Sequence, residues 1–168
     1  NGNKSYSTPN LDSMAHHGIN FTHCEGTAHC APSRCMLLTG KYNFRNYSNG
    51  GYLNFSERTF GNLMHDAGYK TGFFGKLQLP LNDTSMKNWG FDTYTVFEVT
   101  DSHVGDLRYK SPTLFDNNGP VAESVTKNKY CDDILTTRIC NFIDKNKANP
   151  FFIYYPMSLC HAPFCPTP

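Results

Sequence analysis

The stretch "ERTFGNLMHDAGYKTGFFGK", residues 57–76, decides the fold. Phe60, Leu63, Met64 and Ala67 recur at helical intervals, Gly68 closes that helix, and "YKTGFFGK" follows at once as a strand. A helix that hands over directly to a short strand is the unit of an α/β domain, and the unit recurs on both sides. Upstream, Thr8 and Pro9 read as N-cap and first residue of a helix "PNLDSMAHHG" closed by Gly18, after which Ile19 to Thr22 alternates like a strand. In "HCAPSRCMLLTG", residues 29–40, Pro32 suits the first turn of a helix through Met36, Leu37 and Leu38, and Gly40 is its stop. Residues 41–56 read as loop. Downstream, "FDTYTVFEV", residues 91–99, reads as a strand among long loops between Leu77 and Gly119. Ser124 to Lys147 carries Val125, Ile134, Leu135, Ile139, Phe142 and Ile143 in one helical register. Pro150 then opens "FFIYYPM", the continuous apolar run of a strand buried on both faces. The order predicts an α/β fold with a largely parallel sheet flanked by helices.

Composition bounds what such a fold can do. The 168 residues are 39% hydrophobic and 14% aromatic, enough to bury a core. Fifteen Lys and Arg against fourteen Asp and Glu leave a charge of +1, which excludes the basic field of a nucleic-acid binder. No apolar run approaches the roughly 20 residues of a membrane span, and "NGNKSYSTPN" at the start lacks a signal peptide's apolar core. Seven cysteines, at 24, 30, 35, 131, 140, 160 and 165, leave one unpaired whatever the others do, and spacing does not fix a pairing. Cys131 and Cys140 face nearly opposite sides of their helix and are not expected to bond each other.

Cys30 sits where a strand gives way to a helix, so its side chain is expected among unpaired backbone N–H groups at the positive end of the helix dipole. Arg34 follows one turn later and can project toward the same spot, where a guanidinium grips an oxyanion by paired hydrogen bonds. Taken alone, Cys30 is a zinc ligand, a disulfide half, a buried thiol or a nucleophile. His23, Cys24, His29 and Cys30 lack finger-type zinc spacing. By the same local logic Lys76 is a solvated strand end, His161 a loop histidine, Asp132 and Asp133 a solvated mid-helix face, and Trp89, Tyr154 and Tyr155 packing.

"CAPSR" followed by "LLTGK" is similar to the signature of the type I sulfatases of the alkaline phosphatase superfamily, in which Cys-x-Pro-Ser-Arg directs oxidation of the cysteine to formylglycine. "TPNLDSMAHHGINFTH" resembles the helix and strand ahead of that family's nucleophile, "AGYKTGFFGK" its Lys-bearing strand end, and "NPFFIYYPMSLCHAPF" its later strand with a His-x-Pro element. Order and spacing agree from about Thr8 onward.

The resemblance implies an alkaline-phosphatase-like fold in which residues 1–168 are part of the catalytic domain, without its first strand or C-terminal part and inactive in isolation. It implies hydrolysis of aryl or carbohydrate sulfate monoesters by the gem-diol of formylglycine. Cys30 would be its precursor and a metal ligand once modified, Arg34 would orient the hydrate, Lys76 would contact sulfate and nucleophile, and His161 would bind sulfate and assist the leaving oxygen. Gln78 stands where family members often carry His; it can hydrogen-bond an oxygen but cannot take a proton near neutral pH. A divalent cation, Ca²⁺ or else Mg²⁺, is expected, with its other ligands outside these residues. The expected partners are a sulfated small molecule or glycan and a formylglycine-generating maturase, and the expected compartment is periplasmic, secreted or lysosomal. Loops 41–56 and 77–119 would hold the leaving group. Two other readings stay open: a phosphodiester or phosphonate monoester hydrolase of the same superfamily, and a non-catalytic metal- or ligand-binding homologue.

Overall fold

Seven residues, Lys70–Lys76, form the strand around which everything else is arranged, and all but the first are buried. The computed structural model describes residues 5–49, 52–82, 84–97, 108–162 and 164–168. In chain order the elements are α1 (Pro9–His17), α2 (Cys30–Thr39), α3 (Asn43–Asn46), β1 (Tyr47–Asn49), β2 (Tyr52–Leu53), α4 (Phe60–Asp66), β3 (Lys70–Lys76), α5 (Ser85–Asn88), β4 (Thr93–Phe97), β5 (Phe115–Asp116), β6 (Gly119–Pro120), α6 (Glu123–Thr126), α7 (Cys131–Asn146) and β7 (Phe151–Tyr154). The main sheet runs β6-β5-β4-β3-β7. β3 is parallel to both β4 and β7, while β5 and β6 add an antiparallel edge.

Side chains alternate across β3, and the two faces bury different partners. Phe73 joins Cys35, Leu38, Leu53, Trp89, Phe91 and Val96 on one face. Phe74 joins Phe97, Leu114, Cys131, Ile134, Leu135 and Phe142 on the other. Each phenylalanine buried this way contributes about 2–3 kcal/mol. The sheet is thus the middle of three layers, with α2 and α4 on one side and α7 on the other. This is the expected α/β architecture with parallel strands at its centre.

Local signals account for the element ends. Thr59 accepts from the Gly61 amide and Asn62 accepts from the Thr59 amide, a capping box that starts α4. Gly40 ends α2 in the left-handed region at φ 63°. Among the described residues no helix is long and apolar enough to cross a membrane.

Several expectations need correction. Ile19 to Thr22 forms no strand; Ile19 is 80% and Phe21 75% exposed, because alternation alone gives no ladder without a neighbouring strand to bond. Residues 41–56 are not plain loop but hold α3 and an antiparallel β1–β2 pair. There the Asn46 amide group donates to the Cys35 and Lys41 carbonyls, at 3.0 and 2.9 Å, and so closes the end of α2. The expected helix from 124 to 147 is two, α6 and α7. Asn128 takes φ 59° and its amide bonds the Ser111 hydroxyl, while Lys110 pairs with Tyr130, so the intervening backbone is bonded elsewhere. Leu63 of α4 and Ala67 at its C-cap are exposed, and the residue the helix buries is Gly61. "FFIYYPM" is a strand only over Phe151–Tyr154 and only half-buried, since β7 pairs with β3 alone among the described strands. Glu98 and Val99 at the end of the expected strand 91–99, and with them residues 83 and 98–107 of the expected 77–119 loop, lie outside the described residues.

Candidate active site

Parallel strands open their carboxyl ends to one side, and in α/β sheets that is where ligands bind. Lys76 is the last residue of β3. Its amide donates to the Pro156 carbonyl at 2.8 Å, and the next amide, of Leu77, donates to the Phe97 carbonyl at 3.1 Å, which fastens the ends of β3, β4 and the segment after β7 together. Gly75 makes this close approach possible. It takes φ +127°, and a Cβ there would lie 2.2 Å from the Pro156 oxygen. Lys76 is only 3% exposed, so it is not a solvated strand end.

Arg34 comes to this edge on α2, one turn after Cys30. Cys30 is the first residue of the helix, half-buried, with His29 as an extended N-cap that makes no side-chain cap bond. The neighbouring cysteine on the same helix is different: Cys35 lies in the core at 0% exposure, and burial pushes its thiol up to about 11. Arg34 reaches across from α2, donating from Nη1 to the Lys76 carbonyl oxygen at 3.4 Å. It also pairs with the phenol of Tyr154 at the end of β7. Burial raises the Tyr154 pKa, and the charge and hydrogen bond of Arg34 hold that rise back. Tyr154 packs edge-on against Phe60 and Phe73 as well, so the packing reading of this residue is correct but incomplete.

Two buried polar atoms point to work not done within the chain. Arg34 Nε and Gln78 Oε1 have no hydrogen-bond partner among the described residues. Gln78 lies just past Lys76 with φ 54°, a left-handed conformation that is strained for a side chain of this kind.

His161 is held apart from this group, on the segment beyond β7. Its imidazole is exposed, and Nδ1 lies 2.6 Å from the Ala162 carbonyl oxygen. A carbonyl only accepts, so Nδ1 carries the hydrogen in that contact and Nε2 is left for a ligand. The backbone of His161 is bonded through both its N–H and its C=O to the phenol of Tyr109, at 2.9 and 2.6 Å. The structure therefore joins Arg34 to Lys76 and gives His161 a separate set of anchors.

Those anchors correct another expectation. Asp132 is not part of a solvated mid-helix face. It lies in the first turn of α7 at 8% exposure and accepts hydrogen bonds from the hydroxyls of Tyr155, at 2.9 Å, and Ser158. Only Asp133 is exposed. Tyr109, Tyr154, Tyr155 and Ser158 carried no signal in the sequence, because each acts through one hydroxyl whose partner is distant in the chain.

All seven cysteines are free thiols. Among the described residues no group of three or more His, Cys, Asp or Glu side chains is placed to hold a metal ion. A cation expected at Cys30 thus finds no companion ligand cluster among the described residues.

The layers, the parallel strand ends and the helix bearing Cys30 define an α/β domain of the alkaline-phosphatase-like kind. The chain belongs to the sulfatase family, whose sequence model, described as Sulfatase, matches residues 1–168. An N-acetylglucosamine-6-O-sulfatase of Bacteroides thetaiotaomicron is 30% identical over 99% of this chain, which spans 28% of that protein. Human arylsulfatase H is 36% identical over 52% of the chain, aligned with 18% of its own length. A solved structure in complex with its substrate D-glucosamine-2-N,6-O-disulfate matches 96% of the chain with TM-score 0.78 and 28% identity, over 31% of that structure's chain. This chain therefore spans less than a third of these relatives.

Proposed function

We propose that the protein containing this chain is a sulfuric ester hydrolase that cleaves sulfate monoesters, with a carbohydrate sulfate as the favoured substrate class. The observation that carries the reading is the bond from Arg34 to the Lys76 carbonyl. It ties the helix whose first residue is Cys30 to the carboxyl end of β3, the strand that Lys76 closes. The similarity to an N-acetylglucosamine-6-O-sulfatase over nearly the whole chain supports a sugar rather than a simple aryl leaving group.

Oxidised to formylglycine, Cys30 would supply a hydrated aldehyde, whose hydroxyls serve to attack sulfur and afterwards to release sulfate. The rest is the work of ordinary side chains. Charge builds on the oxygens of the transferring group, and fixed cations aimed at it stabilise the transition state without reorganising. Arg34, with Nε unpartnered among the described residues and one Nη1 hydrogen spent on the strand, orients the modified residue and one ester oxygen. Lys76 supplies a second positive charge from a buried, low-dielectric position, where it acts more strongly than at the surface. Gln78 offers an amide to a substrate oxygen or hydroxyl and holds no proton for exchange. His161 binds the sulfate and, only in its doubly protonated form with Nδ1–H still held by the Ala162 carbonyl, gives the Nε2 proton to the departing alkoxide. We place this segment within a larger catalytic domain whose metal ligands come from elsewhere.

The test uses the full protein co-produced with a formylglycine-generating maturase. Mass spectrometry of the peptide around Cys30 is expected to show an aldehyde in place of the thiol, and matched aryl esters are expected to turn over faster as sulfate than as phosphonate. An unmodified thiol would favour a non-catalytic homologue, and faster phosphonate turnover a phosphonate hydrolase.

A further inference from the structure

We propose that Tyr109 and Asp132 are positioning residues for His161, holding from two sides the turn that carries its imidazole. The inference rests on the reading of His161 as a sulfate-binding residue, and nothing in the family signature of Cys30, Arg34 and Lys76 requires it.

The turn from Tyr155 to His161 follows a half-buried edge strand and makes no ladder of its own. Such a segment wanders unless it is tied down. Beyond the bond from the Lys76 amide to the Pro156 carbonyl, it is tied by three hydroxyls. The phenol of Tyr109 donates to the His161 carbonyl at 2.6 Å, has the Ser158 carbonyl at 3.2 Å as a second acceptor, and accepts from the His161 amide at 2.9 Å. One oxygen thus captures both backbone polar groups of His161. Asp132 holds the earlier part of the turn through Tyr155 and Ser158.

Both anchors stand on the same rigid base. The Tyr109 carbonyl accepts from the Cys131 amide at 2.7 Å, and its ring stacks on Tyr130 with centroids 6.2 Å apart. Asp132 is in the first turn of the sixteen-residue α7, where the helix dipole favours its charge. Burying a carboxylate is costly unless it is well bonded. Here the bonds it makes go to the turn that leads to His161, and the result is a histidine backbone fixed before any ligand arrives. Positioning of this kind matters in catalysis because a displacement of about 1 Å can cost ~100-fold in rate.

The experiment is a double-mutant cycle in the full, matured protein, with Tyr109→Phe, which removes one oxygen, and His161→Ala. Tyr109→Phe is expected to lower kcat/KM on a sulfate ester by ~10- to 100-fold in the native background and to have almost no effect when His161 is already Ala. Hydrogen exchange of the peptide spanning 155–162 is expected to speed up in the same variant. Equal losses in both backgrounds would mean a general structural role and overturn the proposal, as would full activity in Tyr109→Phe. Full activity in His161→Ala would instead overturn the underlying reading of His161. Should Tyr109→Phe fail to fold, Tyr155→Phe, which removes a single half-buried donor to Asp132, runs the same cycle with the same expected non-additivity.

Discussion

Arg34 on α2 donates through Nη1 to the carbonyl oxygen of Lys76 at the end of β3, a contact of 3.4 Å between residues 42 positions apart. The bond does more than join two elements. A guanidinium presents its N–H groups in one rigid plane, so fixing one of them on a strand end aims the others. Nε, buried and without a hydrogen-bond partner among the described residues, is a donor not spent on that strand. The helix carrying Cys30 and the strand carrying a buried lysine are thereby set at a defined distance by a residue that also has spare donors.

Arg34→Lys keeps the charge but loses the plane. A lysine ammonium can reach the Lys76 carbonyl or an ester oxygen, not both in the same geometry. We expect kcat/KM on a sulfate ester to fall by ~100- to 1,000-fold, the effect of one lost oxyanion donor, while the thermal midpoint moves little because Arg34 is only half-buried. Steady-state kinetics on the full protein with a melting curve alongside separate the two. An active Arg34→Lys would mean that charge alone suffices.

Gly75 sets the other half of that geometry. Adding a methyl there drives a Cβ toward the Pro156 carbonyl at 2.2 Å and forces φ +127° on an alanine. The expected cost of Gly75→Ala is ~3 kcal/mol from backbone strain and overpacking together. Urea denaturation measures it, and an unchanged midpoint would show that the β3 and β7 ends are not locked as described.

Much of this was legible beforehand, for a physical reason. Helix–strand handovers such as residues 57–76 are written in local periodicity and glycine stops, and a cysteine at a helix N-terminus followed by Arg one turn later is a local pattern too. What escaped depended on distant partners. Asp132 reads as solvated because a pair of adjacent carboxylates, Asp132 and Asp133, is expected to face water, yet it is buried by a turn that arrives 26 positions later. Ile19 to Thr22 alternates like a strand, but a strand exists only where a second one offers its N–H and C=O groups. The single helix read over 124–147 is broken by a bridge from Lys110, which no helical pattern can announce.

Gln78 offers a test in which stability and function part company. Its backbone has φ 54°, costly for any residue but glycine, and its Oε1 is buried without a partner among the described residues. Gln78→Gly relieves the strain, by ~1 kcal/mol, and removes the amide. The variant is expected to be as stable as the parent or slightly more so, with KM for the sulfate ester raised ~10-fold and the shape of the pH–rate profile unchanged, since an amide does not titrate. Calorimetry and kinetics across pH check it; a KM that stays put would remove Gln78 from substrate binding.

Cys35 makes a prediction about alkaline pH. Its thiol is enclosed by the core, and burial raises its pKa from 9.0 to about 11. A thiol is neutral below its pKa, so below pH 9 it is protonated in both the folded and unfolded chains and its contribution to folding is complete. As the pH rises from 9 toward 11 the unfolded chain releases the proton while the folded chain retains it. Ionisation then favours unfolding, and stability is lost across that window by on the order of 2–3 kcal/mol. Cys131 is shifted in the same direction by burial and by the nearby Asp132, so the whole protein should weaken steeply in alkali. Cys35→Ala isolates one share. It is expected to be less stable at neutral pH by ~1 kcal/mol for the small cavity, yet to close on the parent as the pH climbs, because it has no thiol to ionise. Denaturant midpoints of the two proteins, measured side by side through this range, should converge; parallel curves would mean that the Cys35 thiol is open to solvent and does not belong to the core that supports α2.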